Sequence, residues 1–164
     1  MKIGAFCSIA DGVVVLLGGN HRVDWATTFP FRHIFKNQLG SNDIVGHPKS
    51  NGDVVIGNDV WIGRNSTFVS GVQVGDGAVI AANSTVVKDV GAYEVWGGNP
   101  AKLVKRRFDE DIEKRLQALQ WWTWEESKIQ KAAPLLLDCP TMEILAELEE
   151  IAASSSRNDE EVET

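Results

Sequence analysis

The chain predicts a mainly β fold, a parallel β-helix of six-residue units with a helical appendage, and three regularities between residues 56 and 90 carry that prediction. One position in six is wholly apolar: Ile56, Ile62, Phe68, Val74, Ile80 and Val86. Three places further on stand Asp59, Asn65, Gly71, Gly77, Asn83 and Asp89, residue types that tolerate bent backbone better than others. The next column, Val60, Ser66, Val72, Ala78, Ser84 and Val90, is small or β-branched. The unit is therefore short strand, bend, short strand. Such a unit cannot bury its own inward face, so stacked copies must share one continuous core. An amphipathic helix would space its apolar residues at about 3.6 and would be weakened by Asn or Gly at every sixth place.

The pattern resembles the hexapeptide-repeat acyltransferases. That resemblance implies a left-handed parallel β-helix with three six-residue faces per coil, so that residues 56–73 form one coil and 74–91 the next. Ile3, Ile9 and Val15 extend the apolar column, with Gly12 and Gly18 at the bends and Cys7, Val13 and Gly19 after them, so residues 3–20 form an earlier coil. Cys7 then reads as a small core residue rather than a reactive thiol, having no basic neighbour in sequence. This coil starts close to Met1, which leaves its outer backbone edge unpaired and prone to associate. Another subunit or preceding sequence is expected to cover it.

Residues 21–53 interrupt the repeat, yet hold Trp25, Phe29, Phe31, His33 and Phe35, too many aromatic rings for a disordered linker. An ordered, packed excursion is predicted. Residues 92–100 read as a last partial coil, with Gly97, Gly98 and Pro100 ending the strand pattern. Asp109 can cap a helix carrying Ile112, Leu116 and Leu119 on one face. Thr123 and Glu126 have capping-box spacing for a second helix running to about Pro134, and a third starts at Thr141 with Ile144, Leu148 and Ile151. The cluster Trp121, Trp122 and Trp124, at a helix junction, reads as packing rather than a stacking surface for a ligand. From Ser154 the chain is polar and acidic, which predicts disorder. The expected organisation is a β-helix domain over 1–100 with its excursion, a helical segment over 101–153, and a tail over 154–164.

A chain of 164 residues can bury a real core, and its two cysteines, Cys7 and Cys139, make no disulfide framework. The net charge of −7 resides in the tail: residues 138–164 hold nine acids against one base, leaving 15 bases and 14 acids before them. A near-neutral body argues against a general nucleic-acid surface and leaves room for a local anion site. The apolar run 13–17 is too short to span a membrane, and no signal-peptide pattern opens the chain, so a soluble cytoplasmic protein is expected.

Further motifs narrow the resemblance. GGNHRVDW at 18–25, TFPF at 28–31, IGNDVWIG at 56–63 and GGNP at 97–100, followed by KxxKRRF and WWxW, occur in the order found in the xenobiotic acetyltransferase branch. That branch comprises the hexapeptide-type chloramphenicol acetyltransferases and the streptogramin A acetyltransferases, and the likeness covers residues 3 to about 135. It implies acetyl transfer from acetyl-CoA to an acceptor hydroxyl, with His21, the histidine of the NHR motif, as general base. An imidazole titrating near pH 6.5 suits that task. The resemblance also implies a homotrimer with acetyl-CoA along the β-helix edge between subunits. Ala82, Asn83, Gly98, Asn99 and Pro100 fall on the matching stretches, and Lys88, Lys102, Lys105, Arg106 and Arg107 are candidate partners for its phosphates. A ring at Trp96, where the family more often has a smaller aliphatic residue, stands to narrow the CoA channel or stack on the ligand. Trp25, Phe29 and Phe31 are candidates for contact with a partly apolar acceptor.

The main rival is a zinc site of His21, His33 and His47, as in γ-class carbonic anhydrases. The compact HxxxxH pairing of that class is absent, so no metal is predicted. A sugar or amino-sugar acetyltransferase, and a trimeric binding module without catalysis, stay open as alternatives.

Overall fold

The structure is a computed structural model and describes residues 1–35, 38–39 and 43–154. Among the described residues eleven short strands run through the first part: β1 Lys2–Ile3, β2 Ser8–Ile9, β3 Val14–Leu16, β4 Val55–Ile56, β5 Trp61–Ile62, β6 Thr67–Val69, β7 Gln73–Val74, β8 Val79–Ile80, β9 Thr85–Val86, β10 Glu94–Gly98 and β11 Ala101–Arg106. Through β9, successive strands join different sheets and return to the same sheet every third time; with β10 and β11 added to the second sheet, the orders are β1-β4-β7, β2-β5-β8-β10-β11 and β3-β6-β9. The result is a three-faced stack of parallel coils. Each face stacks its own apolar column, with Ile3 beside Ile56 and Val74, Ile9 beside Ile62 and Ile80, and Val15 beside Phe68 and Val86.

Burial follows the predicted columns over residues 56–90, whereas in the first coil Ile3 and Ile9 are exposed and Val15 is half-buried. Ile56, Ile62, Phe68, Val74, Ile80 and Val86 are buried, as are Val60, Ser66, Val72, Ala78, Ser84 and Val90. The two core serines satisfy themselves on carbonyls, Ser66 Oγ donating to Gly63 O at 2.8 Å and Ser84 Oγ donating to Ala81 O. Asp59, Asn65, Gly71, Gly77 and Asn83 all adopt positive φ, between 54° and 84°, which is the recurring bend. The coils approach closely at their corners. A Cβ on Gly63 would lie 2.5 Å from the backbone nitrogen of Ala82.

The last coil departs from the expected phase. Val86 still stacks on Phe68, but Val90 bridges Val74, and Trp96 stacks on Ile80. The coil over 74–91 is therefore two residues short of a full repeat, and Asp89 is not a left-handed bend. Its carboxylate instead accepts from Gln73 N at 2.8 Å, tying the shortened corner to the coil below. The strand pattern also continues beyond Pro100. Residues 101–106 form β11 on the outer edge of β10 rather than the start of the helical segment, and the chain divides into Met1–Lys105 and Arg106–Thr164.

The excursion leaves after β3 and is pinned where it departs and returns. Asn20 and Lys49 exchange backbone hydrogen bonds at 3.0 and 2.7 Å, while the Ser70 hydroxyl receives both Asn20 Nδ2 at 3.1 Å and Asn51 N at 3.0 Å. Within it, α1 (Phe31–Ile34) is a single turn. Phe29, Phe31 and Phe35 pack together, with ring centroids 4.9 to 6.4 Å apart.

The second unit holds α2 (Glu110–Leu119), α3 (Glu126–Leu136) and α4 (Met142–Ala153). Asp109 caps α2 by accepting from Ile112 N at 3.0 Å, and Thr141 caps α4. The capping box expected at Thr123 does not form, because residues 121–123 make a 3-10 turn whose Thr123 hydroxyl donates back to Gln120 O. The helix starts after Glu125 instead. Trp122 is buried, and the Trp124 indole donates to Leu119 O at 3.1 Å, as packing residues at a junction do. Leu145 and Leu148 carry the buried face of α4, flanked by half-buried Ile144 and Ile151, and Arg115 grips Glu149 with two bonds of 2.7 and 2.8 Å. Of the predicted tail, Ser154 closes α4 and residues 155–164 lie outside the described residues. Among the described residues no helix is long and apolar enough to cross a membrane.

Candidate active site

His21 stands where the chain leaves the coils, one residue after the Asn20 bridge that fixes the departing backbone. Its Nδ1 lies 2.7 Å from Thr28 O. A carbonyl can only accept, so Nδ1 carries the proton, and in the neutral ring Nε2 keeps its lone pair. The ring is exposed. One hydrogen bond thus sets both the tautomer and the ring orientation, as a general base requires.

Behind this ring the excursion folds on itself. His47 meets His21 edge to face, with centroids 4.8 Å apart, and Trp25 lies 6.0 Å from His47. Arg22 sits 5.0 Å over the Trp25 ring and is paired with Asp24, its Nε donating at 2.7 Å. That guanidinium hydrogen bond holds the Asp24 carboxyl at about 2, well below its ordinary range. Trp25, Phe29, Phe31, Ile44 and His47 bound a cavity of about 90 Å³. The three predicted acceptor contacts are therefore brought together, beside the predicted base. His33 lies on α1, and among the described residues no three His, Cys, Asp or Glu side chains are grouped as a metal site would need.

Two of the predicted donor stretches are neighbours. Ala81 N donates to Trp96 O at 2.8 Å and Gly98 N donates to Ser84 Oγ at 3.3 Å, so the stretches containing Ala82–Asn83 and Gly98–Pro100 are neighbours. Ala82, Asn83, Gly98, Asn99 and Pro100 are all exposed. Lys102 and Lys105 are exposed on β11, and Lys88 is exposed in the shortened coil. Arg106 differs from them, since it is held by the buried Glu113 carboxylate at 2.8 Å. Trp96 differs as well. Its ring packs partly buried against the core above Ile80, with its indole donating to Glu94 Oε2 at 2.8 Å, because the two-residue deletion moves it into the inward column.

Sequence reasoning passed over two elements of this site. The carbonyl of Thr28 leaves no signal in a side-chain pattern. His47, set aside with the zinc hypothesis, reaches His21 only through the folded excursion.

Residues 53–88 match the family model described as bacterial transferase hexapeptide (six repeats). The chain is 48% identical over 128 residues to a "Probable macrolide acetyltransferase" of Lysinibacillus sphaericus, covering 77% of this chain and 71% of that protein. It is 43% identical over 136 residues to a chloramphenicol acetyltransferase of Morganella morganii, covering 82% of this chain and 64% of the relative. The chain thus spans about two thirds of the length of these relatives. Among solved structures, the N-acyltransferase AntD of Bacillus cereus resembles it in fold, with a TM-score of 0.50 at 20% identity over 73% of this chain and 59% of that one. Repeat, coil register and the coverage of its relatives agree: the chain belongs to the hexapeptide-repeat acetyltransferases, in the branch of antibiotic-modifying enzymes.

Proposed function

We propose that this chain is an acetyl-CoA-dependent O-acetyltransferase acting on a hydroxyl of an antibiotic-type xenobiotic, chloramphenicol or a streptogramin A, with His21 as general base. The observation that carries the reading is the Nδ1 bond of His21 to Thr28 O, which leaves Nε2 free to accept a proton beside an aromatic cavity. Nε2 takes the proton of the acceptor hydroxyl as its oxygen attacks the thioester carbonyl. The carbon–sulfur bond then breaks, and the departing thiolate receives that proton from His21, leaving ester and free CoA. Esterification removes a hydrogen-bond donor from the drug and adds bulk, enough to spoil its fit to a target.

Acetyl-CoA is read along Ala82, Asn83, Gly98, Asn99 and Pro100, with Lys88, Lys102 and Lys105 available to its phosphates. Arg106 is the weaker candidate, being paired with Glu113. The base and this stretch lie at different corners of the coil stack: His21 follows β3, whereas Ala82 and Asn83 lie between β8 and β9. That separation supports a closed homotrimer in which one subunit's base meets the CoA strip of its neighbour. We further read the coils as left-handed, the three segments 1–100, 101–153 and 154–164 as the organisation of the chain with the strand boundary moved to Arg106, and its place as the cytoplasm.

The test is product detection. The protein is incubated with acetyl-CoA and chloramphenicol, a streptogramin A, a macrolide and a galactoside, and acetylated product is sought by mass spectrometry. Acetylation of a drug supports the reading, whereas acetylation of the galactoside alone, or of nothing, overturns it.

A further inference from the structure

We propose that His47 recognises the acceptor, donating or accepting a hydrogen bond inside the aromatic cavity one ring away from the base. The inference rests on the transferase reading above and names a contact which that reading does not contain. Both ring nitrogens of His47 are shielded from solvent, and neither has a hydrogen-bond partner among the described residues. Buried polar atoms in folded proteins nearly always find one, and a neutral imidazole offers one donor and one acceptor. A ring that only filled space here would serve better as phenylalanine.

The surroundings say what the missing partner is. Among the described residues no hydrogen-bonding group reaches the nitrogens, and His21 is not the partner, since the two rings meet edge to face and the orienting bond of His21 is already made to Thr28 O. The charged residue on the cavity wall, Arg32, is engaged with Ile44 O at 2.8 Å. What remains is an apolar space bounded by Trp25, Phe29 and Phe31, with the His47 ring itself in its wall. At about 90 Å³ it takes one small apolar group rather than a whole drug molecule. The matching ligand end is therefore an uncharged ring or short apolar group that carries a carbonyl, nitro, amide or hydroxyl group. An ionised group is excluded by the cost of moving it from water into this wall. With that end bound by His47, the hydroxyl to be acetylated lies on the His21 side.

The test compares the full chain with His47→Phe and His47→Gln, using chloramphenicol as the probe. Calorimetric affinity is measured without acetyl-CoA, and steady-state kinetics with it. His47→Phe keeps the ring against His21 and removes both nitrogens, so it should weaken chloramphenicol binding and raise its KM by about tenfold, the worth of one hydrogen bond. The KM for acetyl-CoA and kcat at saturating acceptor should stay within about twofold if the contact serves binding rather than chemistry. His47→Gln, which retains a donor and an acceptor, should recover part of the loss. A folded His47→Phe protein that binds chloramphenicol as tightly as the parent overturns the assignment and leaves the transferase reading intact. A parent that binds the drug without acetylating it overturns the transferase reading, and the affinity comparison still decides His47. A parent that binds neither chloramphenicol, a streptogramin A nor a macrolide overturns both.

Discussion

Replacing His21 with alanine separates chemistry from architecture, because the fold and the proposed reaction give the side chain very different weights. In the fold it is exposed, makes one hydrogen bond, to Thr28 O, and touches the His47 ring. Loss of a single exposed hydrogen bond costs roughly 0.5–1.5 kcal/mol, which for a chain of this size lowers Tm by about 1–6 °C. In the proposed reaction it is the proton acceptor, and general-base assistance is worth about 10² to 10⁴ in rate, or about 3–5.5 kcal/mol of barrier. His21→Ala should therefore lose kcat a hundredfold or more while its Tm falls by a few degrees and its acetyl-CoA affinity is kept. All three quantities are measured on one preparation, with added imidazole as a fourth arm. A small base entering the vacated site should restore part of kcat without changing Tm. Turnover within threefold of the parent would remove His21 from the mechanism. A fall in Tm of more than about 10 °C with parallel loss of acetyl-CoA binding would refute the claim that the ring is peripheral to the fold.

Four further outcomes are expected. Phe68 is fully buried, and its strand is held by Thr67 N on Ser84 O at 2.8 Å, so the coil cannot close around a deletion. Phe68→Ala should cost about 3–5 kcal/mol in chemical denaturation, and a loss below 1 kcal/mol would contradict a rigid core. The pair Lys102→Ala, Lys105→Ala should raise the KM for acetyl-CoA severalfold, with a weaker salt dependence than the parent, and an unchanged KM would free β11 from the donor site. Asp24 should titrate near 2 by NMR and return toward the ordinary carboxylate range in Arg22→Ala. Because its folded-state value is depressed, its contribution to stability is present above the ordinary range near 4 and is lost as pH falls toward 2. Sedimentation at micromolar concentration should give a trimer, and a stable monomer would count against the shared donor site.

What the amino-acid sequence determines here is whatever repeats. Inward columns, bends and stacking register depend on residue type at a fixed spacing, so Ile62 over Ile9 and under Ile80 is legible before any coordinates exist. Helix caps at Asp109 and Thr141 are local in the same sense, a side chain meeting a backbone group three residues on. His21 is legible only through its motif, since nothing periodic distinguishes it from His33. Tertiary structure alone decided the rest, because those contacts join residues whose spacing carries no rule. The two-residue slip after Val86 sends Trp96 inward, and it shows only when Val90 is seen beside Val74. The Thr28 carbonyl on His21 and the His47 ring against it arise from the path of an excursion that obeys no repeat. Periodicity can therefore be read along the chain, whereas the surroundings of the candidate base were assembled where periodicity stops.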